Sequence, residues 1–388
     1  MTIVVTGGGS GGHITPILAV AAELKSQLPD SNIVYVGQEG DKLIDIPKSD
    51  PNITSSYSIY AGKFRRYSGE GWKQILDFHA QILNCRDLFR TLRGLWQSWR
   101  LLGTIKPDII FTRGASVSVP VALAAVLRGI PYITHDSDST PGLTNRIIGR
   151  WAKLNMVAME PEVYPYNPDK TVRVGVPISQ NYKPLTTKEM ILLRKDMGLA
   201  DYKQIICVTG GGNGAKLLNQ IILDNAVYLL KRFPKLAILH IAGRGMEDEV
   251  EQEYKEILNE EDYKRVTVKP FVTDLYKYSG AADLVIARGG ATNLAEFASQ
   301  HKACIIIPSK QLIWNVKNAE LLGKEQAIVE LSEEQAEQEL RLAATIEDLF
   351  AHKAKMQLLQ KKFAQFSNID SASNIARMII DTAKGKQG

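Results

Sequence analysis

The sequence predicts an α/β protein built from two doubly wound, parallel-sheet domains that face each other across a cleft. Two glycine-rich turns carry that expectation: Gly7-Gly8-Gly9-Ser10-Gly11-Gly12-His13 and Gly210-Gly211-Gly212-Asn213-Gly214-Ala215, roughly two hundred residues apart. Each follows a short β-branched run, Ile3–Val5 or Ile205–Val208, where a buried strand should turn into a helix. A chain of 388 residues is also long for one core, which makes two domains the natural division.

The first half alternates strand and helix patterns. Ile3–Val5 reads as a strand, Pro16–Gln27 as a helix and Ile33–Val36 as a second strand. Ile109–Thr112, the helical run Val119–Arg128 and Tyr132–Thr134 continue the rhythm, with Pro107-Asp108 and Gly129-Ile130-Pro131 as punctuation. Such alternation implies a parallel sheet covered by helices on both faces. The second half repeats it through Ile205–Val208, Leu217–Arg232, Ala237–Ala242, Val266–Val268, Leu284–Ala287, Thr292–Ser299 and Cys304–Ile307. The junction is expected near Val174-Gly175-Val176-Pro177, giving domains at 1–178 and 179–369. The amphipathic tail from about residue 370 to 388 is expected to pack back on the first domain.

Composition excludes several classes. Hydrophobic content of 45% and charge of 23% are those of an ordinary globular chain, and a net charge of +5 is mild. Cys85, Cys207 and Cys304 are few and dispersed, so buried reduced thiols are expected and no metal site. Met1 leads straight into a strand, and no apolar run approaches the ~20 residues of a membrane span. A cytoplasmic location is expected, with room for peripheral contact with a membrane.

At both glycine turns, free backbone N–H groups and the helix dipole favour an anion. Gly7, Gly9 and Gly12 also fit G-x-G-x-x-G, which keeps a dinucleotide-binding dehydrogenase open. That reading wants an acid closing the second strand, whereas Val36 is followed by Gly37-Gln38 and only then Glu39. A tight strand-to-helix turn without any ligand is the plain alternative. His13 lies where a helix should start, so the positive helix end should keep its imidazole neutral and able to accept a proton. A capping or packing histidine is the bland alternative.

Several segments in order resemble the MurG family, bacterial N-acetylglucosaminyltransferases of glycosyltransferase family 28 that turn lipid I into lipid II. They are Gly7–Pro16 (GGGSGGHITP), Gly62–Tyr67 (GKFRRY), Thr134–Asn145 (THDSDSTPGLTN), Gly210–Asn219 (GGGNGAKLLN), Arg288–Glu296 (RGGATNLAE) and Asn318-Ala319. The resemblance implies a two-domain GT-B fold that binds its UDP-sugar, UDP-GlcNAc, mainly through the second domain. It implies that the backbone of Val272, beside Phe271, reads the uracil, that Glu296 holds the ribose hydroxyls, and that Gly212, Asn213 and Gly214 line the pyrophosphate in place of a metal. A carboxylate can accept from two vicinal hydroxyls at once, so the ribose role is chemically sound. Ala291, Thr292, Asn293, Asn315, Asn318 and Ser179 complete the donor contacts; Ser10, Gly11, Gly12, His13, Asp138 and Asn145 face the donor sugar and the lipid-linked muramoyl-peptide acceptor (lipid I).

In that family the acceptor's C4 hydroxyl attacks the anomeric carbon with inversion. His13, Asp136 and Asp138 are the candidate bases: His13 is favoured, Asp138 is assigned to sugar or acceptor contact, and Asp136 to holding its loop. Asp136-Ser137-Asp138 also reads as a D-x-D metal motif, set aside because the glycine turns already offer anion sites. The chain departs from the family pattern at Gly212, commonly serine, at Ser179, commonly arginine, and at Trp314-Asn315, where a glutamine is usual.

Between Lys63 and Lys106 nine basic residues, among them Arg65, Arg66 and Arg93, face only Glu70, Asp77 and Asp87. Phe64, Trp72, Phe89, Trp96 and Trp99 are interleaved, and helical spacing puts Phe89, Leu92 and Trp96 on one face. A basic aromatic surface of this kind suits an anionic leaflet. A solvated helix with inward aromatics and an RNA-binding stripe are the alternatives; no nucleic-acid motif accompanies it, so no nucleic-acid partner is expected. The leading expectation is thus a peripheral membrane glycosyltransferase at the cytoplasmic face, needing no cofactor. A related UDP-sugar transferase with another acceptor, a UDP-sugar epimerase and a non-catalytic sugar-nucleotide or lipid sensor remain open.

Overall fold

The computed structural model describes residues 1–9, 11–62 and 78–385, the first five residues of the latter segment by backbone alone. The chain divides into two compact units, Met1–Pro177 with Asp370–Gly388, and Ile178–Ile369.

The first unit holds seven strands: β1 (Thr2–Thr6), β2 (Asn32–Gln38), β3 (Ser55–Ile59), β4 (Ile109–Thr112), β5 (Tyr132–Asp136), β6 (Leu154–Val157) and β7 (Thr171–Arg173). They pair in parallel in the order β3-β2-β1-β4-β5-β6-β7, with Val4 between Val34 and Ile110. Strands covered on both faces read as continuous apolar runs, which is why Ile3-Val4-Val5 and Ile109-Ile110-Phe111 were legible. Helix Ser371–Ala383 packs on Gly11–Gln27: Ala372, Ile375, Ala376 and Ile379 join Ile17, Val20 and Leu24 in one core.

The second unit holds β8 (Gln204–Thr209), β9 (Leu236–Ile241), β10 (Val266–Lys269), β11 (Leu284–Ala287), β12 (Ala303–Ile306) and β13 (Val329–Glu330). Their order, β10-β9-β8-β11-β12-β13, is again parallel throughout. In both sheets the order reverses beside the strand that precedes a glycine turn, β1 in one and β8 in the other. Ligands of open α/β sheets bind at this switch point, beyond the carboxyl ends of the strands.

The first helix runs over Gly11–Gln27, five residues earlier than the sequence suggests, so His13 belongs to its first turn and Pro16 is internal. Pro16 has no N–H to give the Gly12 carbonyl. Arg113 Nη2 donates to that carbonyl instead, at 3.1 Å.

Candidate functional site

The two glycine turns are built differently. In the first, Tyr35 donates to the Gly7 carbonyl at 2.6 Å, and Asp41 Oδ2 accepts from the Gly9 N–H at 2.8 Å. A carboxylate thus already takes the Gly9 N–H of this turn. Gln38, at the end of β2, accepts from Ser116 Oγ at 2.7 Å, and Glu39 is exposed, so the acid that a dinucleotide fold needs is missing.

What the first turn positions is His13. Its Nδ1 lies 3.1 Å from the Arg113 carbonyl. A carbonyl only accepts, so Nδ1 carries the proton and Nε2 keeps a lone pair. Burial, then the Arg113 charge, bring its pKa down to about 4, against a smaller opposing effect of the bond to Arg113 O. The imidazole is therefore neutral, as expected from sequence, but burial and a neighbouring guanidinium keep it so.

Arg113 itself escaped the sequence reading. It follows β4 directly, its side chain is buried, and desolvation lowers its pKa to about 10. Nη1 donates to Ser137 Oγ at 2.7 Å and to Nδ1 of His135, whose Nε2–H donates to Gly175 O at 2.8 Å. One guanidinium thus ties the His13 helix to the Ser137 loop. A charged residue at the carboxyl end of a parallel strand, just before Gly114 with φ +83°, was the available signal.

The loop after β5 carries the two aspartates. Asp136 is buried; Oδ2 accepts from Tyr166 at 2.6 Å and Oδ1 from the Gly142 N–H at 3.4 Å. Burial raises its pKa. With both oxygens engaged, Asp136 fastens the loop. Asp138 is half-buried, its carbonyl accepting from Tyr164 at 2.9 Å. Asn145, expected to touch substrate, is 1% exposed and gives Nδ2 to the His135 carbonyl at 2.9 Å, so it braces the loop from below. Gly11 and Gly12 open the helix beside His13, while Ser10 lies outside the described residues.

The second turn keeps its amides. Among the described residues the N–H groups of Gly212 and Asn213 have no acceptor, and helix Lys216–Arg232 follows with no side-chain cap. Gly214 (φ +70°) and Gly243 (φ +102°) pack backbone to backbone, and a Cβ on either would overlap the other loop. On the adjacent strand's loop, helix Ala291–Ser299 presents Glu296, 5% exposed, with Oε2 accepting from Asn293 Nδ2 at 2.8 Å. Tyr182, a second partner absent from the sequence reading, also hydrogen-bonds Glu296. Burial pushes the Glu296 carboxyl up to about 8, against both bonds.

Ala291 is nearly buried and Thr292 half-buried at the start of that helix. Asn318 is 2% exposed and donates Nδ2 to the Gly289 carbonyl at 3.0 Å, bracing the Arg288-Gly289-Gly290 turn where substrate contact was expected. Asn315 is buried on helix Ile313–Lys324, and Ser179 is half-buried with Oγ accepting from the Asn181 N–H at 3.3 Å. Phe271 and Val272, half-buried, follow β10, and the Arg244 guanidinium stacks 4.1 Å from the Phe271 ring centre. Among the described residues no cluster of three or more His, Cys, Asp or Glu could hold a metal ion.

The long helix Phe78–Ile105 exposes Leu88, Phe89, Leu92, Trp96 and Trp99 along one side, so these aromatics do not pack inward. Arg100 stacks on Trp96, Arg128 on Trp99 and Arg93 on Tyr60. Phe64, Arg65, Arg66 and Trp72 lie outside the described residues. No helix among the described residues is long and apolar enough to cross a membrane.

Residues 3–157 match the family model of the glycosyltransferase family 28 N-terminal domain, and 205–376 that of its C-terminal domain. The chain is 30% identical over 390 residues, 98% of each chain, to the "UDP-N-acetylglucosamine--N-acetylmuramyl-(pentapeptide) pyrophosphoryl-undecaprenol N-acetylglucosamine transferase" of Desulforamulus reducens. The chain belongs to the MurG family of glycosyltransferases. The identically named protein of Geobacillus thermodenitrificans is 31% identical over 98% of this chain and 99% of its own. Among solved structures, MurG of Acinetobacter baumannii superposes with a TM-score of 0.67 at 22% identity, covering 98% of this chain and 99% of that one. The UDP-GlcNAc 2-epimerase of Neisseria meningitidis, bound to UDP-GlcNAc, shares the fold at TM-score 0.65 and 11% identity, over 98% of this chain and all of its own. MurG-family membership removes the dehydrogenase alternative.

Proposed function

We propose that the chain is an inverting glycosyltransferase that moves N-acetylglucosamine from UDP-GlcNAc to the C4 hydroxyl of a lipid-linked N-acetylmuramoyl peptide, the step from lipid I to lipid II in peptidoglycan synthesis. The observation that carries the donor half is the pairing of two features within the second unit. An amide-lined turn follows β8, and a buried carboxylate, Glu296, follows the adjacent β11. Free amides and a helix N-terminus suit a diphosphate, and a carboxylate suits two vicinal ribose hydroxyls. The Val272 backbone, beside Phe271, reads the uracil, with Gly212, Asn213 and Gly214 at the diphosphate. Peptide amides face its charge, and no resident metal is needed.

On the acceptor side His13 Nε2 takes the proton of the attacking hydroxyl. That oxygen bonds to the anomeric carbon as the bond from this carbon to the diphosphate oxygen breaks, and the electron pair leaves with UDP. Arg113 holds His13 in the tautomer that leaves Nε2 free. Asp138 contacts the acceptor. The exposed aromatic and basic side of Phe78–Ile105 rests on the anionic cytoplasmic face of the membrane, where a lipid-linked acceptor resides. UDP release should be measured across a panel of UDP-sugars with a lipid-linked muramoyl acceptor. Release only with UDP-GlcNAc and only with acceptor present supports the reading; UDP binding without release under those conditions identifies a non-catalytic sensor instead.

A further inference from the structure

We propose that Arg244 is the cation of the donor site, pairing with the diphosphate of the bound nucleotide; this rests on the UDP-binding reading above. Arg244 sits in Gly243-Arg244-Gly245, the turn leaving β9. Its position is fixed from two sides. Gly243 packs against Gly214 so closely that neither tolerates a Cβ, which locks this turn onto the amide-lined turn after β8. The guanidinium lies 4.1 Å from the centre of the Phe271 ring, next to the residue assigned to the uracil. The side chain therefore spans the stretch between the phosphate turn and the base reader. Stacking on an aromatic face holds the guanidinium plane while leaving its N–H edge available.

Its charge is also uncommitted. Glu247, Asp248 and Glu249 open the next helix, yet among the described residues none forms an ion pair with Arg244. A UDP leaving group carries at least two negative charges, and Ser179 brings none of the positive charge that an arginine would bring there. A guanidinium answers that need with charge-assisted hydrogen bonds.

The test is calorimetric binding of UDP, UMP and uridine to wild type, Arg244→Gln and Arg244→Lys, with thermal unfolding to show that each variant is folded. Arg244→Gln should weaken UDP roughly ten- to a hundredfold, UMP less and uridine hardly at all, and Arg244→Lys should restore part of the loss. Equal weakening of UDP and uridine would show that the side chain acts only by shaping Phe271, and no weakening of either would also overturn the inference. A wild-type chain that binds no UDP removes the donor reading and this inference together; wild type that binds while Arg244→Gln is unaffected removes the inference alone.

Discussion

An ordinary histidine base would make transfer collapse in mild acid, and His13 should not. A free imidazole titrates at about 6.5, so at pH 5 only roughly 3% of it would be neutral. With its pKa at about 4, His13 keeps roughly 90% of its neutral form at pH 5 and almost all of it at pH 7. Between pH 7 and 5, kcat/KM should therefore fall by only about a tenth, where an unperturbed histidine would lower it about twenty-fivefold. The causes are separable: burial is the larger and the Arg113 charge the second. Arg113→Met removes the charge and should move the acid limb upward. His13→Ala should lower kcat by about 10²–10⁴-fold and leave UDP binding unchanged. The assay is UDP release at constant ionic strength from pH 5 to 8, each sample then returned to pH 7 to confirm recovery of activity. A wild-type midpoint near 6.5, or near-normal turnover by His13→Ala at saturating substrate, would refute the reasoning.

Glu296 should lose its proton on accepting two ribose hydroxyls, so UDP binding at pH 7 should release up to about one proton, seen as a buffer-dependent heat that Glu296→Gln abolishes. Because its folded pKa lies above the unfolded value of about 4.5, its stabilising contribution is complete below that value and lost as pH rises through about 8; Glu296→Gln should accordingly melt higher than wild type at pH 8.5. His240, buried between Tyr254 and Asn219, is lowered to about 3 by desolvation. Stability should thus be intact above pH 6.5 and lost as pH falls, by nearly ~3 kcal/mol at pH 4.5 and about 5 kcal/mol at lower pH, with a shallower urea-midpoint slope in His240→Leu. The Phe89→Ser/Trp96→Ser pair should reduce co-sedimentation with anionic vesicles on the order of a hundredfold, at about 1.5 kcal/mol per exposed apolar side chain; binding indifferent to both substitutions would exclude this helix as the contact.

The central strands and both glycine turns were legible because their chemistry is local. Ile3-Val4-Val5 and Ile205–Val208 are covered on both faces, and buried parallel strands announce themselves as apolar runs. Three of the four edge strands did not. β3 is Ser55-Ser56-Tyr57-Ser58-Ile59, β7 has three residues and β13 two, so none presents a run long enough to read. The start of the first helix was misplaced because Pro16 looked like a first-turn residue, whereas the helix accommodates it by lending the Gly12 carbonyl to Arg113.

Site residues divided the same way. Glu296 and His13 sit inside recognisable segments, while Arg113, Tyr166, Tyr182 and Arg244 act across sequence separations that no local pattern encodes. Burial decided what the segments could not: Asn145 and Asn318 lie in family-like stretches, yet both spend their amides on backbone carbonyls.

The most direct measurement is transfer of isotopically labelled GlcNAc from UDP-GlcNAc to a lipid-linked N-acetylmuramoyl peptide with a chelator present, the product's new linkage read by its anomeric coupling. A β-1,4-linked disaccharide lipid formed at an undiminished rate is the predicted result. No labelled lipid, an α linkage, or transfer that revives only when a divalent cation is restored would contradict a diphosphate held by peptide amides and displaced in one inverting step.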